Sequence, residues 1–103
     1  MTFRVGTGWK MNKTRAQAAD YVRTLLAAPD LATIGAQLFV LPPFTALAEV
    51  AQALAASPVE VGAQNMHWAA DGAWTGEISA AIDRRLRSSH SRTGALGAAY
   101  AFQ

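Results

Sequence analysis

Gln64, Asn65, His67, Trp68, Trp74, Thr75 and Glu77 crowd a single stretch of the chain, V-E-V-G-A-Q-N-M-H-W-A-A-D-G-A-W-T-G-E-I-S from Val59 to Ser79. Amides, an imidazole, two indoles, a hydroxyl and a carboxylate are thus presented together on a loop punctuated by Gly62, Gly72 and Gly76. Long loops of this composition commonly carry function. The bland alternative is a surface loop with exposed aromatics. Metal binding is the poor alternative: the chain has no cysteine, and His67 and His90 are its only imidazoles, so a third strong ligand is missing.

The elements that must position this loop are legible upstream. Val59 and Val61 alternate with Glu60 before Gly62, the pattern of a short buried strand running into a loop. Arg4 to Thr7, after Phe3, reads as a first strand ended by Gly6 and Gly8, and Lys10 leaves its end. Asn12 or Thr14 can cap the helix that follows. From Arg15 to Ala28, Ala18, Tyr21, Val22, Leu25 and Leu26 recur at three- and four-residue spacing, an amphipathic helix stopped by Pro29-Asp30. Leu38 to Leu41 is a continuous apolar run before Pro42-Pro43, as in a strand covered on both faces by helices. Thr45 then opens a helix over Ala46 to Ala56, ending at Ser57-Pro58. Strand, helix, strand, helix, strand in this order predicts an α/β fold with a parallel sheet of βαβ units.

Composition narrows the class. A hydrophobic fraction of 51% over 103 residues excludes disorder throughout. No apolar run reaches membrane-spanning length, and the N-terminus has no apolar core behind a basic head, so a soluble cytoplasmic protein without a membrane partner is expected. The net charge of +2 is unevenly placed. From Ile82 onward Arg84, Arg85, Arg87 and Arg92 face one acid, Asp83, whereas the remainder is slightly acidic. The arginines show no aromatic interleaving and no recognisable nucleic-acid motif, so a nucleic-acid partner is not expected.

Three motifs in order carry a resemblance. G-T-G-W-K-M-N-K-T resembles the first βα-loop of the triosephosphate isomerase family, F-V-L-P-P-F-T-A-L its second strand and following loop, and A-Q-N with G-A-W-T-G-E-I-S its third βα-loop. The resemblance covers residues 3–81. It implies that the chain is an N-terminal fragment, about three βα units, of a (β/α)8 TIM barrel with its site at the C-terminal ends of the strands. It also implies cofactor-free, metal-free isomerisation of a small sugar phosphate by a homodimer. Lys10 then corresponds to the catalytic and substrate-binding ammonium, placed to stabilise an enediolate oxyanion where water is excluded. Gly8 falls at a substrate-binding position. Gln64, Asn65, Trp74, Thr75 and Glu77 correspond to the loop that the family inserts into its partner subunit. His67 and Trp68 are expected to pack against a neighbouring subunit. The carboxylate base and neutral imidazole that the family pairs with its lysine are not in place in this chain.

The resemblance leaves two substrates open. The main expectation is the interconversion of glyceraldehyde 3-phosphate and dihydroxyacetone phosphate. The alternative starts from Gly8, which stands where the triose enzymes have asparagine and thereby removes an amide and makes room. Together with Q-N-M-H-W and G-A-W-T-G-E, it resembles the L-erythrulose-phosphate isomerase branch. A further alternative is a non-enzymatic fragment that binds an intact subunit or an acidic partner.

The pattern breaks after Ala81. The family continues to V-E-L-G-H-S-E-R-R, whereas this chain reads I-D-R-R-L-R-S-S-H-S-R-T-G-A-L-G-A-A-Y-A-F-Q, in which His90-Ser91 comes too early and follows no strand. Reading Ser91 to Phe102 one nucleotide later, with free third bases, allows V-E-L-G-H-S-E-R-R in nine consecutive codons. A reading-frame slip near Ile82 is therefore expected, with residues 1–81 the barrel part and 82–103 an out-of-frame, poorly structured tail.

Overall fold

The computed structural model describes residues 3–88. Three strands, β1 (Phe3–Gly8), β2 (Ala36–Leu41) and β3 (Glu60–Val61), form a parallel sheet in that spatial order. Helices α1 (Arg15–Leu26) and α2 (Phe44–Leu54) connect them, a short 3-10 turn lies at Leu31–Thr33, and α3 (Ala80–Ser88) follows the long loop. These are successive βα units side by side, the start of a TIM barrel.

Helix α1 begins where its sequence allows the first turn to be satisfied locally. Thr14 Oγ1 accepts from Gln17 N at 3.2 Å while Gln17 Oε1 accepts from Thr14 N at 2.9 Å, a reciprocal capping box. Asn12, the other candidate cap, instead donates from Nδ2 to Trp9 O at 2.7 Å. The helix stops at Leu26 rather than Ala28, because the residue preceding Pro29 is excluded from helical geometry. Helix α2 starts earlier than predicted: Pro43 takes the cap position, and Thr45 lies inside the first turn without a capping bond.

Register extends β2 beyond its apolar run. Phe3 pairs with Ala36 and Arg4 with Gln37, so two less apolar residues join the ladder. Gln37 Nε2 donates to Leu38 O at 3.1 Å and to Pro58 O at 2.8 Å, tying β2 to the entry of β3. Phe39 stands opposite Gly6, where a Cβ would collide with the Phe39 ring and carbonyl; glycine is the residue that permits this close approach. The two-sided cover expected for β2 is reached at Val40 and Leu41, while Ala36 to Phe39 are half-buried.

The core lies between sheet and helices. Ala18 and Val22 of α1, Ala46, Leu47, Val50, Ala51 and Leu54 of α2, Val40 and Val61 of the sheet, and Val59 just before β3 form a cluster with Trp9. The other side of β1 is open: Phe3 is 72% exposed and Val5 55%.

Helix α3 runs on past Ile82 to Ser88. Residues 82–88 continue α3, Leu86 packs on the core, and Asp83 and Arg87 are buried as an ion pair. The physical reason is a single turn of helix that brings those two opposite charges onto the same face, against β3. Residues 89–103, with His90 and the stretch that the shifted frame would recode, lie outside the described residues.

Candidate functional site

Lys10 leaves the C-terminal end of β1 with φ +57°, in the left-handed region that a non-glycine residue occupies only when its surroundings impose it. Those surroundings are visible bond by bond. The preceding Trp9 is buried, meets Tyr21 edge-on at 4.8 Å, and donates its backbone N–H to Leu41 O at 3.1 Å. Its carbonyl takes the Asn12 side chain. From the loop after β3, Gln64 Nε2 donates both to Lys10 O at 3.1 Å and to Leu41 O at 2.8 Å. Ends of all three strands thus converge on the backbone that carries Lys10.

The Lys10 side chain is exposed and has no ion-pair partner among the described residues. Its neighbour Lys13 differs. That residue also has positive φ, at +79°, but its ammonium sits 5.6 Å from the Trp9 ring centroid and 5.2 Å from that of Tyr21. Cation–π contacts occupy it. Of the two lysines, Lys10 is the one free to meet an anion. Sequence reasoning passed over Lys13; its spacing from Trp9 and Tyr21 was the available signal.

Gly8 borders an open cleft that Thr7, Trp9, Lys13 and Tyr21 also line. A Cβ built there would meet only Leu41 Cδ1, at 3.9 Å, an ordinary contact. Neither backbone conformation nor packing requires glycine at this position.

The loop after β3 closes on itself. His67 N donates to Ile78 O at 2.8 Å, Glu77 N to Trp74 O at 3.1 Å, and Gly76 turns the chain at φ +82°. The His67 ring packs against the indoles of both Trp68 and Trp74, with centroids at 4.5 and 4.4 Å, and the two indoles themselves are 6.5 Å apart. Its Nδ1 accepts from Ala69 N at 3.0 Å, which assigns the proton of the neutral ring to Nε2. The imidazole thus contacts two indoles of its own loop. No group of residues able to hold a metal ion occurs among the described residues.

The five residues carried over as an interface divide. Asn65, Trp74, Thr75 and Glu77 lie exposed on the loop, Asn65 Nδ2 reaching Glu77 Oε2 at 3.4 Å. Trp68, 84% exposed, extends the same surface. Gln64 instead turns inward to the strand ends. Among the described residues, no helix is long and apolar enough to cross a membrane.

The chain is similar to L-erythrulose-1-phosphate isomerase of Brucella abortus (biovar 1, strain 9-941), with 56% identity over 77 residues, 75% of this chain and 30% of the relative. It is 57% identical over 75 residues to the protein of that name from Rhizobium meliloti (strain 1021), covering 73% of this chain and 29% of the relative. For the Mesorhizobium japonicum protein of that name the identity is 53% over 79 residues, 77% of this chain and 31% of the relative. The chain thus spans about 30% of the length of the curated relatives it matches. The family model described as triosephosphate isomerase matches residues 3–91, which include every strand, the left-handed Lys10 and the closed third loop. This chain, an α/β array of three βα units, belongs to the triosephosphate isomerase family.

Proposed function

We propose that the chain is the N-terminal part of a cofactor-free sugar-phosphate isomerase acting on L-erythrulose 1-phosphate. The observation that carries the reading is Lys10: an exposed ammonium, unpaired among the described residues, on a backbone held in the left-handed region at the end of β1. Moving a proton between adjacent carbons passes through an enediolate, and a fixed cation beside the developing oxyanion stabilises it most where water is excluded. The names of the relatives support the four-carbon substrate over the three-carbon one. Gly8 supports it too, since its missing side chain serves no packing purpose and leaves room in the cleft that it borders with Trp9 and Lys13.

The reaction also requires a carboxylate base and a neutral imidazole. Among the described residues His67 is packed against two indoles of its own loop, and Glu49, Glu60, Glu77 and Asp83 are engaged with Arg15, Arg4, Asn65 and Arg87. The 103-residue chain alone is therefore expected to be inactive. In the whole enzyme the exposed face of the third loop, with Thr75 and Glu77, would meet the other subunit of a cytoplasmic homodimer.

The test begins with the DNA. Sequencing from codon 75 through several hundred nucleotides past codon 103 shows whether the shifted frame continues through G-H-S-E-R-R. The rejoined protein is then assayed with L-erythrulose 1-phosphate and dihydroxyacetone phosphate. A larger kcat/KM for the former supports the proposal, and the reverse order returns the three-carbon reading. No turnover of either would sink the isomerase assignment.

A further inference from the structure

We infer that Gln64 is a positioning residue for Lys10, holding the lysine backbone in its left-handed conformation from across the sheet. This rests on the reading of Lys10 as the group that meets substrate. One side-chain nitrogen, Gln64 Nε2, has two protons and faces two carbonyls, Lys10 O at 3.1 Å and Leu41 O at 2.8 Å. Leu41 O also receives Trp9 N at 3.1 Å, so the residue before Lys10 and the carbonyl of Lys10 itself are referred to the same point at the end of β2. Trp9 fixes the chain entering Lys10, and Gln64 fixes the chain leaving it.

The left-handed region is unfavourable for a side chain with a Cβ, and it persists where neighbouring bonds over-determine it. Remove the amide and the Lys10 carbonyl is free to rotate. The backbone then relaxes to negative φ, and the direction in which the ammonium projects changes with it. Residue type is constrained by the same geometry. Glutamate would set an oxygen against two carbonyl oxygens, asparagine is one methylene short, and leucine has similar volume without a donor. Gln64 thus acts on the chemistry through Lys10 without touching the substrate.

The test uses the full 103-residue chain, labelled with 13C and 15N, and reads Lys10 directly. In the unsubstituted chain a coupling across the hydrogen bond links Gln64 Nε2 to the Lys10 carbonyl carbon, and the backbone couplings of Lys10 report positive φ. In Gln64→Leu the expected result is loss of the positive-φ signature at Lys10 while the shifts of α1 and α2 stay unchanged. Retention of that signature overturns the inference. Should Gln64→Leu lose its folded spectrum, the double variant Gln64→Leu, Lys10→Gly decides. Glycine holds φ +57° without help, so recovery of the folded spectrum supports the inference and failure to recover overturns it. No substrate enters the experiment, so a failed clip and a failed isomerase assay are told apart.

Discussion

Arg87 Nε and Nη2 donate to Asp83 Oδ1 and Oδ2 at 2.8 and 2.7 Å, a fork closed one helical turn back along α3. The third nitrogen, Nη1, reaches Val61 O at 3.1 Å. With side chains 9% and 2% exposed, this pair is the joint between α3 and the sheet. Removing either partner leaves the other charged, buried and uncompensated. Arg87→Met and Asp83→Ala are each expected to destabilise the chain by about 3–5 kcal/mol. The double variant Arg87→Met, Asp83→Leu should recover most of that loss. Urea unfolding of the three variants checks this, and additive losses would show that the two residues do not act as a pair.

Gly6 pairs with Phe39 across the ladder, with no room for a side chain between them. Gly6→Ala is expected to cost about 1–3 kcal/mol, the usual penalty for overpacking a close approach. Because the Phe39 carbonyl obstructs the new methyl as well as the ring, the added change Phe39→Leu should recover only part of the loss. Thermal unfolding of the single and double variants measures it; full recovery would place the whole conflict in the ring.

Gly8 carries the opposite expectation. With a 3.9 Å contact as the nearest obstacle, Gly8→Asn should change stability by less than about 1 kcal/mol, and the loss of a flexible glycine from a strand favours the variant. In the rejoined enzyme that substitution should instead lower kcat/KM for the four-carbon substrate relative to the three-carbon one. Denaturation and paired kinetics separate the two effects. A large loss of stability would mean that glycine serves the fold here.

Helix α1 depends on its capping box. Thr14→Ala removes the acceptor for Gln17 N and is expected to cost about 1 kcal/mol, read from a lowered urea midpoint at unchanged slope. Thr14→Ser retains the hydroxyl and should lie close to the parent. Equal losses for alanine and serine would assign the effect to the threonine methyl.

On the outer strand, β1 has an unpaired edge among the described residues, and Phe3 and Val5 are 72% and 55% exposed. Such an edge recruits further strands, so the isolated chain should self-associate with rising concentration. Val5→Lys should suppress this by placing a charge along the edge. Sedimentation velocity over a range of concentrations is the measurement, and a chain that stays monomeric at all of them would contradict the expectation.

Local patterns determined much of this protein. The apolar spacing of Ala18, Tyr21, Val22 and Leu25 specified α1, because a helix has only one face that can meet a sheet. Valines alternating around Glu60 marked β3, and the order of elements led directly to the parallel sheet. Lys10 could be named as a candidate from its flanking residues. Boundaries followed less well, since Pro43 starts α2 and Pro29 ends α1 through steric effects of one or two residues.

Tertiary structure decided what depends on residues far apart in the chain. Register with β1 brought Ala36 and Gln37 into β2, although neither is apolar enough to announce a strand. Asp83 and Arg87 read as parts of a basic tail until β3 supplied a carbonyl and burial for the guanidinium. Lys13 was distinguished from Lys10 when Trp9 and Tyr21 converged on its ammonium. Gln64 changed meaning most: 54 positions from Lys10, its amide reaches the lysine carbonyl only because the parallel sheet brings the ends of β1, β2 and β3 together. The sequence specified which groups were available, and the ladder of strands, through distances that no local spacing encodes, selected which of them meet.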